Sequence, residues 1–478
     1  MKSVRRGKRR NEDLTVRGIL LDTVPWAVLE EEANAALAPL TVDEEQIFEL
    51  NKIIDKMVER ENMQKAYEQV VRNKGAAGID NMSVKDLKPY LQAEWADIKV
   101  KLLAGTYKPQ PVKRVEIPKP GGGIRRLGIP TVVDRMIQQA LHQVLEPIFD
   151  PKFSDSSYGF RQGRSAHQAV LSFKSHVTAG KKWVVDVDLE KFFDRVDHNI
   201  LLSRVKRKVE DQKVLKLINS FLKAGVVSKG IYEKTIEGTP QGGPLSPLLS
   251  NILLDDLDKE LEKRGHKFAR YADDLRVFVG SERAGERVMS SLKRYLKEVL
   301  KLKVNEEKSK VVKSHQSTFL GYSLTAEKKP RIRVPKSSLE KLRLKIKSHL
   351  RSGRGRNLGR FIRETLNKTI KGWINYFRLA DAVSFAKTLD GWIRRRLRNI
   401  KWRQWKHPKT CKRKLKQRGL SEADAVTGAS NGRGSWWNSG AWHMNRALPK
   451  GYFDKMGLVS LVDELEKFKR KLRNRRGT

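Results

Sequence analysis

Cysteine occurs once in the 478 residues, as Cys411, which excludes an internal disulfide and any multi-cysteine zinc site. No uncharged apolar run reaches the length of about 18 residues that a membrane span needs. The basic start MKSVRRGKRR is followed by a stretch that Arg17, Asp22 and Pro25 break before an apolar core can form, so a cleaved signal peptide is not expected. Acid is also scarce: 55 Asp and Glu stand against 99 Lys and Arg, a formal net charge of +44. Such chains bind polyanions, because each phosphate neutralised releases condensed counterions.

The shortage of acid is uneven. From Arg331 to Thr478 there are 40 Lys and Arg against 10 Asp and Glu, which leaves 59 against 45 before that point. The front therefore reads as a nearly ordinary globular protein and the rear as a cationic nucleic-acid grip. The length suits two to four domains.

Along the chain, residues 1–10 read as a basic arm and 11–40 as acidic, with a short helix through Ala27–Ala38. Thr41 and Glu44 form a capping box ahead of Ile47, Leu50, Ile54 and Met57 at helical spacing. NKGAAGID (73–80) is a glycine-containing loop. VKRVEIPKPGGGIRRLGIP reads as a hairpin turned at Gly121–Gly123, and Val132–Ile148 as a helix. KKWVVDVDLEKFFDRVDH begins as a buried strand and continues as a helix. A long helix follows TPQGGPLSP, with Leu249, Leu253, Leu257 and Leu261 on one face. RSGRGRNLGR (351–360) reads as a flexible linker, and the last 70 or so residues as short helices between glycine-containing loops.

RYADDLRVFVG (270–280) reads as a β-hairpin with Asp273 and Asp274 at its tip. Three explanations fit the pair: a type I′-like turn, where Asp is common; a solvated charge pair; or ligation of divalent ions for phosphoryl or nucleotidyl transfer. Side-by-side carboxylates repel unless a cation offsets them. VVDVDLEKFFD supplies a partner, because Asp186 and Asp188 end an apolar strand and share a face. In LLDDLD, by contrast, Asp255, Asp256 and Asp258 lie on an amphipathic helix and are expected on its solvated side.

These strings, in this order, resemble the palm of a reverse transcriptase, and more narrowly the proteins encoded within bacterial group II introns. The resemblance runs from about Asn51 to Leu465. It implies an α+β chain with right-hand polymerase fingers and palm (an antiparallel sheet with helices), then an α-helical thumb or maturase domain and a small basic helical DNA-binding domain. The expected divisions are 1–50, an extension without an assigned role; 51–135, N-terminal lid motif and fingers; 136–330, palm with the remaining fingers elements; 331–408, thumb; and 409–478, DNA-binding domain.

The resemblance also implies residue roles. Asp188, Asp273 and Asp274 would be the catalytic carboxylates and hold Mg²⁺, with Asp186 in a supporting place. Phe193 would close over the sugar of the incoming nucleotide and exclude a 2′-hydroxyl; a core aromatic is the plain alternative. Lys119 and Arg125 would contact the triphosphate, Gln241 the nascent base pair, and Lys308 the departing pyrophosphate. Gly75 and Gly78 would give mobility to a lid over the template.

GWINYF marks the family's thumb. Trp373, Tyr376 and Phe377 share a helix face there and are read as core packing over base stacking, while Arg394, Arg395, Arg396 and Arg398 suit phosphate contacts. The tail from about Cys411 resembles the DNA-binding domain, with SNGRGSWWNSGAWHMNRAL as its least regular part. With one cysteine and an end at Thr478, the zinc-supported endonuclease of many relatives is not expected, as in the endonuclease-lacking, group IIC-like branch. The implied function is RNA-directed DNA synthesis from dNTPs, intron RNA binding that aids splicing, and mobility by target-primed copying. The implied partners are the intron RNA, template RNA with a DNA primer, and target DNA, in the bacterial cytoplasm and at the nucleoid when mobile. A splicing cofactor with a decayed polymerase and a reverse transcriptase of phage defence or adaptive immunity are the alternatives.

Overall fold

A computed structural model describes residues 52–118, 122–239, 242–353 and 355–474. The N-terminal extension with its expected helix starts, Lys119 and Gln241 lie outside the described residues.

The first elements are helices α1 (Lys52–Val58), α2 (Arg60–Asn73) and α3 (Leu87–Leu103), then strands β1 (Val112–Pro118) and β2 (Ile124–Ile129) and helix α4 (Val132–Phe149). Next come α5 (Ala166–Thr178), β3 (Trp183–Asp188), α6 (His198–Lys206), α7 (Gln212–Lys223), β4 (Val226–Ser228), β5 (Ile231–Glu233) and α8 (Ser246–Lys263). The hairpin β6 (Lys267–Tyr271) and β7 (Asp274–Val279), α9 (Glu282–Glu298) and β8 (Lys310–Lys313) follow. Strands β9 (Ser323–Leu324) and β10 (Ile332–Arg333) precede α10 (Lys336–Ser352), α11 (Asn367–Phe377), α12 (Val383–Trp405) and a run of shorter helices. Among the described residues no helix is long and apolar enough to cross a membrane.

The chain divides into two compact units: residues up to 169 with Val185–Val311, and Val170–Val184 with the residues from Val312 on. In the first, Ile54 and Met57 of the expected stripe are buried. Helix α4 is buried around much of its circumference, the polar Asp134, Arg135 and Gln138 included, so it forms the centre of a core rather than a surface helix. β1 and β2 make the expected antiparallel hairpin, with Ile117 opposite Arg125. This hairpin belongs to a sheet ordered β2-β1-β4-β5, and a second sheet runs β6-β7-β3-β8. β3 buries Val184, Val185 and Val187 on both faces, which explains its unbroken apolar run.

Three local expectations change. After β3 the chain does not enter one helix. Lys191 adopts a left-handed conformation, Phe192–Asp194 form a single tight turn, and α6 starts only where the Asp197 side chain accepts from Ile200 N. The expected linker at 351–360 is ordered in its second half. There the Asn357 carboxamide accepts from Arg360 N at 3.1 Å, and Leu358 is buried in the helical turn Leu358–Phe361. The supposedly irregular tail has a polar core: Asn438 Nδ2 donates to Arg433 O at 2.7 Å, and Asn438 Oδ1 lies 3.0 Å from the buried His443 Nε2. In α11, Phe377 is buried as core packing requires and lies beside Trp373 and Tyr376; Tyr376 departs from that reading, being 38% exposed, with its hydroxyl donating to Leu320 O at 2.9 Å.

The start of α4 also holds a titratable switch in stability. Asp134 is buried, and its carboxyl receives Tyr107 Oη at 2.8 Å, Thr131 Oγ1 at 2.7 Å and Gln110 N at 3.1 Å. Burial outweighs these donors and pushes the carboxyl up to about 6. The folded state therefore holds this proton more tightly than the unfolded chain does. The associated stabilisation is full below about pH 4 and disappears as pH rises through about 6. Melting curves should show wild type losing stability relative to Asp134→Asn across that window. Parallel pH profiles would remove Asp134 from the balance.

Candidate active site

The tip of the β6–β7 hairpin is built by a buried network rather than by its own turn preference. Tyr271 pairs with Asp274, so Ala272 and Asp273 alone make the turn. Ala272 sits at φ 57°, the left-handed region that a residue with a Cβ adopts at a cost of roughly 1–2 kcal/mol. Asp273 does not share that conformation, so the turn is not type I′.

The conformation is held from outside. Arg270 is 1% exposed, and its guanidinium donates Nε to Asp258 Oδ1 at 2.7 Å and Nη2 to Asp258 Oδ2 at 2.5 Å. Its Nη1 donates to both Asn251 Oδ1 and Ala272 O at 3.0 Å. Asn251 then donates to Gly159 O at 2.9 Å. A Cβ on Gly159 would lie 2.3 Å from Ala272 N, so only glycine lets that loop press on the turn. The contacts close a ring from α8 through Arg270 to the tip and back.

This corrects the expectation for LLDDLD. Asp258 is fully buried against Arg270 and Asp255 is nearly so, while Asp256 pairs with Arg204 and Arg207, both at 2.5 Å. Helix α8 packs on more than its leucine face: Arg204, Arg207 and Arg270 from other elements take up Asp256 and Asp258, and Asp255 pairs with Lys259 one turn on.

At the tip, burial pushes the Asp273 carboxyl up, and the nearby Asp188 charge adds to the rise; Arg125 and Arg270 oppose it. Burial raises Asp274 to about 6, even though Arg276 Nη1 donates to it at 2.5 Å. The same Arg276 places Nε 2.9 Å from Asp186 Oδ1, so Asp186 takes the supporting position expected for it. Asp188 has its strand end fixed by Ser309 Oγ at 3.0 Å, and Lys308 Nζ lies 3.6 Å from its Oδ2. The structure thus brings Asp188, Asp273 and Asp274 into one electrostatic neighbourhood. Among the described residues no three acidic, imidazole or thiol side chains already converge as a metal cluster. The donor set nevertheless suits a hard divalent cation: it is all carboxylate, and Asp188 and Asp273 repel each other.

Beside the hairpin lies a cavity of about 620 Å³ lined by Gly75, Arg125, Arg135, Phe160, Phe193 and Gly242, among others. It joins three residues singled out from sequence: Gly75, Arg125 and Phe193. Phe193 is half-buried, and its carbonyl receives Thr239 N at 2.6 Å. Phe160, 6.5 Å from the Tyr271 ring, was not anticipated. The signal was present in YGFRQGR, a glycine- and arginine-rich string beside an exposed aromatic.

The glycines serve packing. A Cβ on Gly75 would meet Arg135 Nη1 at 2.2 Å, and one on Gly78 would meet the Thr131 backbone at 2.7 Å, so both glycines allow a close fit, and the lid role expected for their loop stays a proposal. Gly242, at φ 142°, also makes a close approach, where a Cβ would lie 2.5 Å from Gly128 O. In the second unit, Arg395 and Arg396 lie over the Trp436 ring at 4.2 and 4.6 Å, and Arg394 is half-buried. Arg398 departs from the expected phosphate contact: it is 8% exposed and donates Nε to Leu448 O at 2.9 Å.

Comparison with known proteins follows this geometry. Residues 117–324 match the family described as reverse transcriptase (RNA-dependent DNA polymerase), and residues 339–419 the group II intron maturase-specific domain. Protein YkfC of Escherichia coli (strain K12) is 33% identical over 293 residues, covering 53% of this chain and 77% of that protein. The group II intron-encoded protein LtrA of Lactococcus lactis subsp. cremoris is 33% identical over 361 residues, covering 60% of this chain and 57% of LtrA. The chain thus spans a little over half the length of that longer relative. A chain of a solved partial Cas6-RT-Cas1–Cas2 complex aligns at 26% identity and a TM-score of 0.34, over 51% of this chain and 42% of the other.

Breaking the buried pair should show directly in stability. Asp258→Asn leaves the Arg270 charge uncompensated and should cost about 3–5 kcal/mol in urea unfolding. A variant that unfolds like wild type would mean that the hairpin does not depend on the pair.

Proposed function

The chain belongs to the reverse transcriptase/maturase family of group II introns, and we propose that it copies RNA into DNA at the β6–β7 hairpin while holding its intron RNA through its basic rear. The observation that carries the proposal is the neighbourhood of Asp188 and Asp273. Asp188 ends β3 and Asp273 lies in the turn that leads into the neighbouring β7, and the charge of Asp188 bears on Asp273, in a chain otherwise crowded with cations.

Asp188, Asp273 and Asp274 would hold Mg²⁺, which when bound offsets charge on the attacking and departing oxygens of nucleotidyl transfer. The protein's own contribution is positional. Arg270 fixes the tip, and Arg276 restrains Asp274 and Asp186 together. Arg125 and Phe193 line the adjoining cavity, where a guanidinium suits the triphosphate and an aromatic edge suits discrimination at the sugar. Lys308, more than half exposed beside Asp188, is placed to reach a leaving anion. Lys119 and Gln241 keep their proposed contacts with the triphosphate and the base pair on sequence grounds alone.

The division at 1–50, 51–135, 136–330, 331–408 and 409–478 is kept as a proposal, with the last two segments gripping intron RNA and target DNA. Splicing assistance and target-primed mobility follow from the maturase-specific match at 339–419. Arg394, Arg395 and Arg396 are retained as phosphate contacts, and Arg398 is withdrawn from that set.

Primer extension on an RNA template with Mg²⁺ tests the polymerase. Asp273→Asn should lower extension by roughly a hundredfold or more while RNA binding persists. Surviving synthesis would sink the carboxylate assignment. Tight RNA binding without extension by either protein would favour a splicing cofactor. Phe193→Ala should raise ribonucleotide incorporation relative to deoxyribonucleotide by about tenfold or more. A loss of stability with unchanged sugar preference would return Phe193 to core packing.

A further inference from the structure

Phe193 lines two cavities: the one of about 620 Å³ that holds Arg125, and a second of about 460 Å³ that takes in Asp194, Gly238 and Thr239. Open space beside the ring on two fronts means that packing alone does not fix it. The buried Phe192 ring stands edge-on to it at 5.1 Å, and further restraint comes through the backbone.

That backbone is gripped by a segment from far along the chain. Thr239 N donates to Phe193 O at 2.6 Å, and Gly238 N donates to Val196 O at 2.8 Å. Gly238 has φ 91°, and a Cβ there would lie 2.9 Å from the carbonyl oxygens of both Phe193 and Asp194. Only glycine lets the segment lie on these carbonyls. Ile236 and Glu237 just before it are exposed, so burial begins at Gly238 and Thr239. The side chain that holds this point is His198, the first residue of α6. It is 4% exposed, and its Nε2 donates to Gly238 O at 2.7 Å. A carbonyl has no hydrogen to give, so Nε2 carries the proton. Nδ1 has no partner. A buried imidazole with a single hydrogen bond is present for that bond, because an apolar side chain would fill the space at lower cost.

We propose that His198 is a positioning residue for sugar selection: it clamps Gly238, and through Gly238 and Thr239 it sets where the Phe193 ring stands. This rests on the polymerase reading, with Phe193 as the residue that meets the sugar, and deepens it. Excluding one hydroxyl group depends on placement to within about 0.5 Å, so a ring with space beside it needs its backbone held. The plain alternative is that the bond ties the segment to α6 for stability alone. The two readings part on one quantity, the preference for deoxyribonucleotides over ribonucleotides, which a purely stabilising bond leaves unmoved.

Primer extension on an RNA template gives kcat/KM for a deoxyribonucleotide and for the matching ribonucleotide. Their ratio does not depend on the fraction of protein that is folded. His198→Leu removes the donor and should lower the preference by about threefold to tenfold. His198→Gln keeps an N–H donor of similar reach and should stay within about twofold of wild type. Gly238→Ala leaves His198 in place but presses on the Phe193 carbonyl, and should move the preference in the same direction. In the Phe193→Ala background, where the preference is already lowered, adding His198→Leu should change it by less than about twofold.

An unchanged preference in His198→Leu would overturn the proposal and leave the bond a structural one. If that variant gives no folded protein, an unmoved preference in Gly238→Ala overturns it instead. His198→Gln as impaired as His198→Leu would show that the donated hydrogen is not what matters. A change of equal size with and without the Phe193 ring would mean that His198 acts by another route, and would also sink the idea. Extension with an unmoved preference removes this inference alone, whereas no extension by the unaltered protein removes the polymerase reading and this inference with it.

Discussion

The geometry of the hairpin tip depends on a carboxylate that never meets water. Asp258 and Arg270 are both essentially inaccessible, and their two-pronged pairing leaves Nη1 free to bind Asn251 and the Ala272 carbonyl. Taking both charges out of water is costly, and a buried pair of this kind is a poor source of net stability. Its value is directional. The guanidinium has only one planar orientation that satisfies Asp258, and that orientation dictates where the Ala272 carbonyl must be. The strained φ of Ala272 is thus imposed by α8, and Gly159 closes the other side. Asp273 follows Ala272 with no freedom left in the turn.

From this constraint follows the electrostatic pattern of the site. A chain with net charge +44 attracts phosphate everywhere, so an acidic spot survives only if each carboxylate has an assigned neighbour. Arg276 serves both Asp186 and Asp274, and Lys308 stands beside Asp188. Asp273 has the least direct help: Arg125 and Arg270 act on it only at a distance, against burial and the charge of Asp188. Apart from a backbone hydrogen bond, the turn residue therefore relies on distant cations, and a divalent cation would offset its charge.

Much of this was legible in the sequence, and the misses share one cause. Local pattern sufficed for the hairpin around Asp273, the leucine stripe of α8, the β1–β2 hairpin and the apolar run of β3, because period and turn chemistry are local properties. Pattern failed where a residue's fate depends on a partner far along the chain. Asp258 reads as surface because its neighbours are Lys and Glu, while its partner Arg270 comes from the next strand. The close contacts of Gly75 with Arg135 and of Gly78 with Thr131 were not visible in sequence, because both partners lie more than 50 residues away. Arg398 reads as one more cation in a basic helix until Leu448 supplies its acceptor. Phe160 was visible in YGFRQGR but lacked context, since its importance comes from standing over the hairpin.

The remaining imbalance has a direction. In the first unit the fold satisfies most of its buried polar groups, yet it leaves a negative excess at Asp188 and Asp273 and an unpaired positive group at Arg135. Folding stability alone would remove both, since Asn or Met at these places would cost less. Nor can they satisfy each other, because neither aspartate pairs with Arg135. On the proposed function, a divalent cation would offset the charge at the hairpin.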